Sequence, residues 1–417
     1  MNRSIIIIFL TIAMPWVVFG QPANTVLSFQ QAKARLMKKN LNLLASYYDI
    51  NIADAQVIQA RVWNNPYLIW NQDLYQVEKN QYFNPTNQAL IQVEQIFSVA
   101  GKHTNTVKLA KINLEISKVQ LEDVIRSLVF DLGETYNNLA ALQEKQSLYI
   151  DVLTNYERLL TASREQLRVG AISKTEFLRL ESEYVVEKAQ AVEIYNSQQV
   201  ALAHLKVLLQ VPPDSTLVLE QRTPLFSTEF ILDSLIRQGL QSRPDLKVVK
   251  LRRAYQERNL KLQQSLSVPD FKLAYQPYDR GSNYTRPYSG TNLEVPLPMF
   301  DRNQGRIKAA RYQLTQSEFQ LELQKSTVSN EVIAAYNQYV KSNEGLANFN
   351  DEFIDDLQKL AESNNTNFKN RNISLLQFID QQRIYIQTNL LYIELRQQYL
   401  DSVNELNFYI GKQLIDY

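Results

Sequence analysis

Hydrophobic positions in this chain recur by threes and fours over long stretches. Leu121, Ile125, Leu128, Leu132, Tyr136, Leu139 and Leu142 form one series; Phe177, Leu180, Tyr184, Ala191, Ile194, Ala201, Leu205 and Leu208 belong to another. Gln, Asn, Ser and Lys fill the other faces, so each helix carries a narrow apolar seam of coiled-coil type. The pattern predicts a very long helix over 102–168 and another over 304–369. Each spans roughly 100 Å at a rise of ~1.5 Å per residue. A tight turn follows each, and then a return helix over 173–210 or 374–412. Shorter helices are expected over 28–63 and 230–266, with Ser28 capping the first and Pro66 and Pro269 stopping them. Between short and long helices the period changes to two. Ala89, Ile91, Val93 and Phe97 oppose Gln92 and Glu94; Phe271, Leu273 and Tyr275 oppose Lys272 and Gln276. Leu293, Val295, Leu297 and Met299 oppose Asn292 and Glu294, although Pro296 and Pro298 weaken pairing there. Segment 67–77 is apolar and aromatic with less regular alternation. Strands of about ten residues suit a tilted outer-membrane strand with one lipid face and one water face.

The same elements come twice, offset by about 200 residues. Leu167 to Leu178 followed by Tyr184 matches Phe368 to Ile379 followed by Tyr385, with Ile172, Ser173 and Phe177 over Ile373, Ser374 and Phe378. Trp63 to Leu68 matches Leu266 to Phe271, and Tyr136-Asn137 matches Tyr336-Asn337. The chain is therefore divided into a first unit over 21–216 and a second over 217–417. A proline-bearing connector over 211–228 joins them, in which Leu217-Val218-Leu219 suits a short strand. The fold class is mainly α with a small antiparallel β part. Four strands cannot close a barrel around a water-filled lumen, and open edges are not tolerated in lipid. Several copies must pool their strands.

Composition narrows the picture. Gly and Pro are scarce, at 10 and 13 of 417 residues, which suits long helices. A formal net charge of +1 gives no field for holding nucleic acid. With no cysteine, disulfides, thiolate metal sites and cysteine catalysis are excluded. Residues 1–20 read as a secretory signal peptide: Arg3, an apolar run from Ile5 to Phe19, then Val18 and Gly20 before Gln21. An N-terminal anchor helix is the alternative, but the run is short against the about 20 residues of a membrane span. No later segment is apolar enough to be a transmembrane helix.

The turn Arg168-Val169-Gly170-Ala171-Ile172-Ser173 with Phe177-Leu178 resembles the periplasmic tip of TolC-like outer-membrane factors, the outer membrane efflux protein family. Val295-Pro296-Leu297-Pro298-Met299-Phe300-Asp301-Arg302-Asn303-Gln304-Gly305 is similar to that family's second strand-to-helix junction, above all in its cation-efflux branch. Gly101-Lys102 is similar to the first junction. The resemblance implies a homotrimer in outer-membrane lipid, with a shared β-barrel above a helical coiled-coil barrel. It also implies docking onto a periplasmic adaptor and an inner-membrane pump, passive conduction, no covalent chemistry and no cofactor.

Candidate functional residues follow from it. Val169, Gly170, Ala171, Ile172, Ser173, Asn370, Arg371, Asn372, Ile373 and Ser374 are placed at the adaptor-docking tip, or serve only as helix caps. Gly170 is expected at positive φ; the second turn lacks the glycine, and Asn372 is expected to supply the left-handed residue instead. Glu176, Gln377 and Asp380 fall where the family's acids line the closed aperture; ordinary exposed positions are the alternative. A ring of Asp380 carboxylates would favour cations. Arg371, Arg383 and Tyr385 are candidates for a polar latch, or are solvent-exposed side chains. His103 and His204 are isolated, so a metal site is not expected. No phosphate loop, nucleophile elbow or catalytic carboxylate pair stands out. An elongated periplasmic coiled-coil adaptor without a pore is the alternative reading, and the alternating strands speak against it.

Overall fold

The structure, a computed structural model, describes residues 26–77, 80–82, 89–222, 224, 230–280, 286–349 and 351–415. The expected signal peptide lies outside them. The first half runs β1 (Val26–Leu27), α1 (Phe29–Lys39), α2 (Leu41–Arg61), β2 (Tyr67–Gln72), β3 (Tyr75–Gln76), β4 (Gln81–Tyr82), β5 (Ala89–Phe97), α3 (Lys102–Arg168) and α4 (Lys174–Leu209). After β6 (Val218–Leu219) the second half runs α5 (Leu232–Ser242), α6 (Pro244–Ser265), β7 (Phe271–Arg280), β8 (Tyr288–Glu294), α7 (Gln304–Leu346), α8 (Asp351–Lys369) and α9 (Leu375–Ile410).

Each half therefore carries the same order of helix pair, strands, long helical arm and return helix. Three helices expected to be continuous are broken. At the first break Asn40 is extended at ψ 122°. Its side chain accepts from the Leu43 N–H and donates to the Leu208 carbonyl, both at 3.0 Å, so one residue caps α2 and ties it to α4. The second break falls at Arg243, because Pro244 at the start of α6 disfavours helical backbone in the residue before it. The third falls between Leu346 and Asp351. Gly345 and Asn348 are weak helix formers there. Phe349 turns inward to pack on Phe353 and Tyr392, with ring centroids 5.7 and 5.6 Å apart. Ser28 caps α1 through a reciprocal pair with Gln31.

β2, β5, β7 and β8 form one antiparallel sheet in that order, a meander in which the middle pair joins the two halves. The β5–β7 register shifts between Ile91 and Val93. β8 ends at Glu294, earlier than its alternation suggests, because Pro296 and Pro298 lack a ladder donor. One face is apolar and bare: Val93, Tyr275 and Leu293 are 43%, 54% and 63% exposed. Gln92 on the other face is buried and accepts from the Gln276 amide at 2.8 Å. The outer edges of β2 and β8 have no partner strand among the described residues.

At mid-height β1 pairs with β6 in parallel. The Tyr136 hydroxyl reaches the carbonyls of Leu27 (2.8 Å) and Glu220 (2.9 Å), and the repeat-matched Tyr336 hydroxyl donates to the Phe230 carbonyl at 3.2 Å. One core gathers Leu36, Leu132, Tyr136, Leu139 and Leu205; a second gathers Leu235, Val332, Tyr399, Val403 and Leu406. A third lies towards the turns, with Tyr149, Val152 and Tyr156 of α3 against Leu180 of α4 and Phe378 and Ile386 of α9. The seam series thus marks the buried stripe.

Candidate functional site at the helical tip

Both helical hairpins end in the same turn. After α3 the N–H groups of Val169, Gly170 and Ala171 donate to the carbonyls of Glu165, Leu167 and Gln166 at 3.1, 3.1 and 2.8 Å. After α8 the N–H groups of Asn370, Arg371 and Asn372 donate to Thr366, Phe368 and Asn367 at 3.0, 3.0 and 2.9 Å. The left-handed residue is Gly170 in the first turn (φ +75°) and Arg371 in the second (φ +60°). Arg371 takes the conformation expected of Asn372, because it is Arg371 that occupies the glycine's place in the bond pattern. Asn372 instead points its amide at the Asn367 side chain, 3.3 Å away.

The return helices start on matching capping boxes. Ser173 Oγ accepts from the Glu176 N–H at 3.2 Å, and Glu176 accepts from the Ser173 N–H and hydroxyl at 2.8 and 2.9 Å. Those bonds, the backbone one foremost, hold the exposed Glu176 carboxyl below its ordinary range. Gln377 makes the same contacts with Ser374 at 2.9 and 3.1 Å. Both side chains fold back on their own turns. Asp380, one turn further, is exposed and has no hydrogen bond or ion pair among the described residues.

Arg383 on α9 pairs with Glu183 on α4, a bond between the two return helices that sequence alone did not locate. Its anion is the hidden member: the side chain of Glu183 is 12% exposed, that of Arg383 53%. Glu187, one turn on, is buried against Tyr149; burial first, and Glu183 second, raise its carboxyl above the ordinary range. The signal was present as a gap. Positions 177, 180, 184, 191 and 194 follow the seam, and the missing step between 184 and 191 is Glu187. Tyr385 lies half-buried in the third core, where its hydroxyl makes no hydrogen bond among the described residues, and burial raises that hydroxyl above the ordinary value. Arg371 does not meet Arg383 or Tyr385 in a shared polar cluster.

Between the two turns lies a cleft of about 360 Å³. Leu159, Ala162, Ile172, Phe368, Ile373 and Leu375 supply its apolar wall, with Lys369 and Arg371 among the residues at its margin. Elsewhere, the His103 ring stacks on Trp63 at 4.1 Å, and His204 lies beside Thr135 and Asp131. No group of side chains suited to a metal ion occurs among the described residues.

The described residues thus form two long helical hairpins joined to a four-stranded antiparallel sheet. The chain belongs to the outer membrane efflux protein family, whose model matches residues 32–210 and 235–412. A similar curated relative is the cobalt-zinc-cadmium resistance protein CzcC of Cupriavidus metallidurans, 21% identical over 408 residues, covering 95% of this chain and 92% of the relative. The fold is similar to that of CusC, with TM-score 0.72, 15% identity and 92% of each chain covered. It is also similar to the Campylobacter jejuni CmeC outer membrane channel, with TM-score 0.72, 14% identity, and 100% of this chain and 95% of that one covered. The chain is an outer-membrane efflux channel of tripartite systems, and its family and fold are those of transport channels rather than of enzymes. The family match favours this over a pore-less periplasmic adaptor.

Proposed function

We propose that the chain acts as a homotrimer set in the outer membrane, with its helices crossing the periplasm to meet an adaptor and an inner-membrane pump. The carrying observation is the sheet, with a bare apolar face and two outer edges that have no partner strand among the described residues. Lipid tolerates neither an open edge nor an unsatisfied backbone group, so β8 of one copy must pair with β2 of the next. The units 21–216 and 217–417 serve as two quasi-equivalent staves of the resulting duct. The tip turns dock the adaptor, while Asp380 faces the passage as a ring of carboxylates that favours cations. Arg383 and Glu183 form the bond that holds the tip closed.

Divalent metal cations are the proposed cargo class, supported by whole-length similarity to a metal-resistance protein. Fractionation and bilayer recording test the reading together. Heat-modifiable trimers in the outer membrane, cation-selective conductance, and reduced selectivity in Asp380→Asn are expected. A soluble periplasmic monomer sinks the channel; unchanged selectivity sinks the acidic ring. Deleting the protein should sensitise cells to cobalt, zinc or cadmium, and unaltered tolerance of all three removes the metal assignment.

A further inference from the structure

The bare apolar surface of the sheet does not end where β8 ends. Beyond Leu293 and Val295 the chain presents Leu297, Met299 and Phe300, which are 78%, 66% and 90% exposed, so an apolar strip runs on to the foot of α7. Apolar side chains this bare mark a surface made to be covered.

At the end of the strip the chemistry changes. A cleft of about 600 Å³ is lined by Arg302, Lys308 and Arg311 together with Ser267, Ile307 and Tyr312, and no carboxylate is among its described lining residues. The three cations are exposed and have no ion pair among the described residues. Arg302 Nε donates to the Pro298 carbonyl at 3.2 Å, which holds the guanidinium against the apolar strip; its two terminal nitrogens make no bond among the described residues. Acids close in sequence are engaged elsewhere. Asp301 accepts from the Asn303 N–H at 2.9 Å, and Glu318 pairs with Arg253 at 3.2 Å. The strand-to-helix junction of the first half is built differently: its cation, Lys102, is buried and pairs with Asp270 at 2.7 Å. Such a junction therefore forms without unpaired cations, and those of the second half are free for an external anion.

We propose that this cleft binds the phosphodiester headgroup of an anionic phospholipid from the periplasmic leaflet of the outer membrane. An apolar strip that ends in unopposed cations has the polarity of such a lipid. An acyl chain lies along Leu297, Met299 and Phe300. The phosphate oxygens accept from the guanidinium groups of Arg302 and Arg311, and Lys308 adds a point charge. This rests on the placement of the sheet in the outer membrane and adds one selective lipid site per copy, at the level where the lipid face gives way to the helices.

The test uses the full-length protein, delipidated in a nonionic detergent and titrated with phosphatidylglycerol or phosphatidylcholine of the same acyl chains, with bound lipid counted by native mass spectrometry. Phosphatidylglycerol is retained in preference, and its advantage shrinks as salt is raised from about 50 to about 500 mM. Arg311→Gln weakens phosphatidylglycerol binding by about 5-fold, and the triple change Arg302→Gln, Lys308→Gln and Arg311→Gln weakens it by more than ~20-fold, while phosphatidylcholine is unaffected. Phe300→Ser weakens both lipids. Equal retention of the two lipids by the wild-type protein overturns the site, as does undiminished phosphatidylglycerol binding in both charge variants. Inorganic phosphate bound as tightly as the lipid, and lost in the triple variant, overturns the lipid in favour of a free ion. A triple variant that falls to monomers whether or not lipid is added assigns the cations to a neighbouring copy and overturns the proposal as well. Isolation of the wild-type chain as a soluble monomer sinks the outer-membrane placement itself, and the lipid site with it.

Discussion

Replacing Gly133 by alanine is expected to destabilise the protein, although helix propensity alone predicts the reverse. Gly133 lies inside α3, where alanine would be favoured by about 1 kcal/mol. The added methyl group, however, would stand 2.5 Å from the Cγ, Oδ1 and Nδ2 atoms of Asn404 on α9. Asn404 has little freedom to retreat: it is 4% exposed and donates to the Phe130 carbonyl at 2.9 Å. Overpacking costs about 1–3 kcal/mol, and disrupting a buried hydrogen bond costs about 1–3 kcal/mol. Against the propensity gain, the net effect is a loss of about 3 kcal/mol. Thermal or denaturant melts of the full-length protein in detergent measure it. Asn404→Ala in the Gly133→Ala background should recover much of the added loss, giving a coupling of about 2 kcal/mol in a double-mutant cycle. A Gly133→Ala variant as stable as wild type or more so would refute the reasoning, because the α3–α9 contact would then be soft.

Three other outcomes are expected. Arg383→Ala should leak more than Glu183→Gln in single-channel recordings and in sensitivity to large antibiotics, because it strands the hidden anion beside buried Glu187; the reverse order would count against the Arg383–Glu183 closure. Burial first, and Asp401 second, push the Glu134 carboxyl up to about 7. The folded state then holds this proton more tightly than the unfolded chain, so its contribution is fully present below the ordinary carboxylate range and is lost as pH rises towards 7. Melting temperature should fall between about pH 5 and 8, and Glu134→Gln should flatten that slope; an unchanged slope would exclude Glu134 as its source. Asn40→Ala should cost about 2 kcal/mol in melts, since it removes the α2 cap and strips the Leu208 carbonyl of its side-chain donor.

Much of the scaffold was legible because its seams repeat over many turns and its boundaries carry local signals. Ser28, Ser173 and Ser374 announce helix starts by chemistry confined to four residues. Breaks were harder to read where apolar spacing continues across them. Asn40 becomes a cap only when Leu208 approaches from a remote helix, and Phe349 leaves its helix for Tyr392 on α9. Pro244 was a local signal that the periodicity overshadowed. At the tip, the matched Ile and Ser positions revealed two equivalent turns, but not that Arg371 would take the glycine's conformation. The Arg383–Glu183 bond joins residues 200 apart in sequence, and the cleft exists only where two hairpins meet. Neither is encoded in a spacing.

The strand order β2, β5, β7, β8 has a consequence for assembly. The β5–β7 seam inside one chain and the proposed β8–β2 seam between chains each join the last strand of one half to the first strand of another. The trimer is then a ring of six hairpins with two alternating kinds of junction, one of which is spanned by a covalent connector. Cutting the chain between β6 and α5 leaves every strand of each half intact and each hairpin with its own helical arm. Two co-expressed half-chains thus retain the strand contacts needed to build an alternating hexamer with the same circumference. The connector enforces one-to-one stoichiometry and strict alternation, converting what could be a two-component polymerisation into the counting of three.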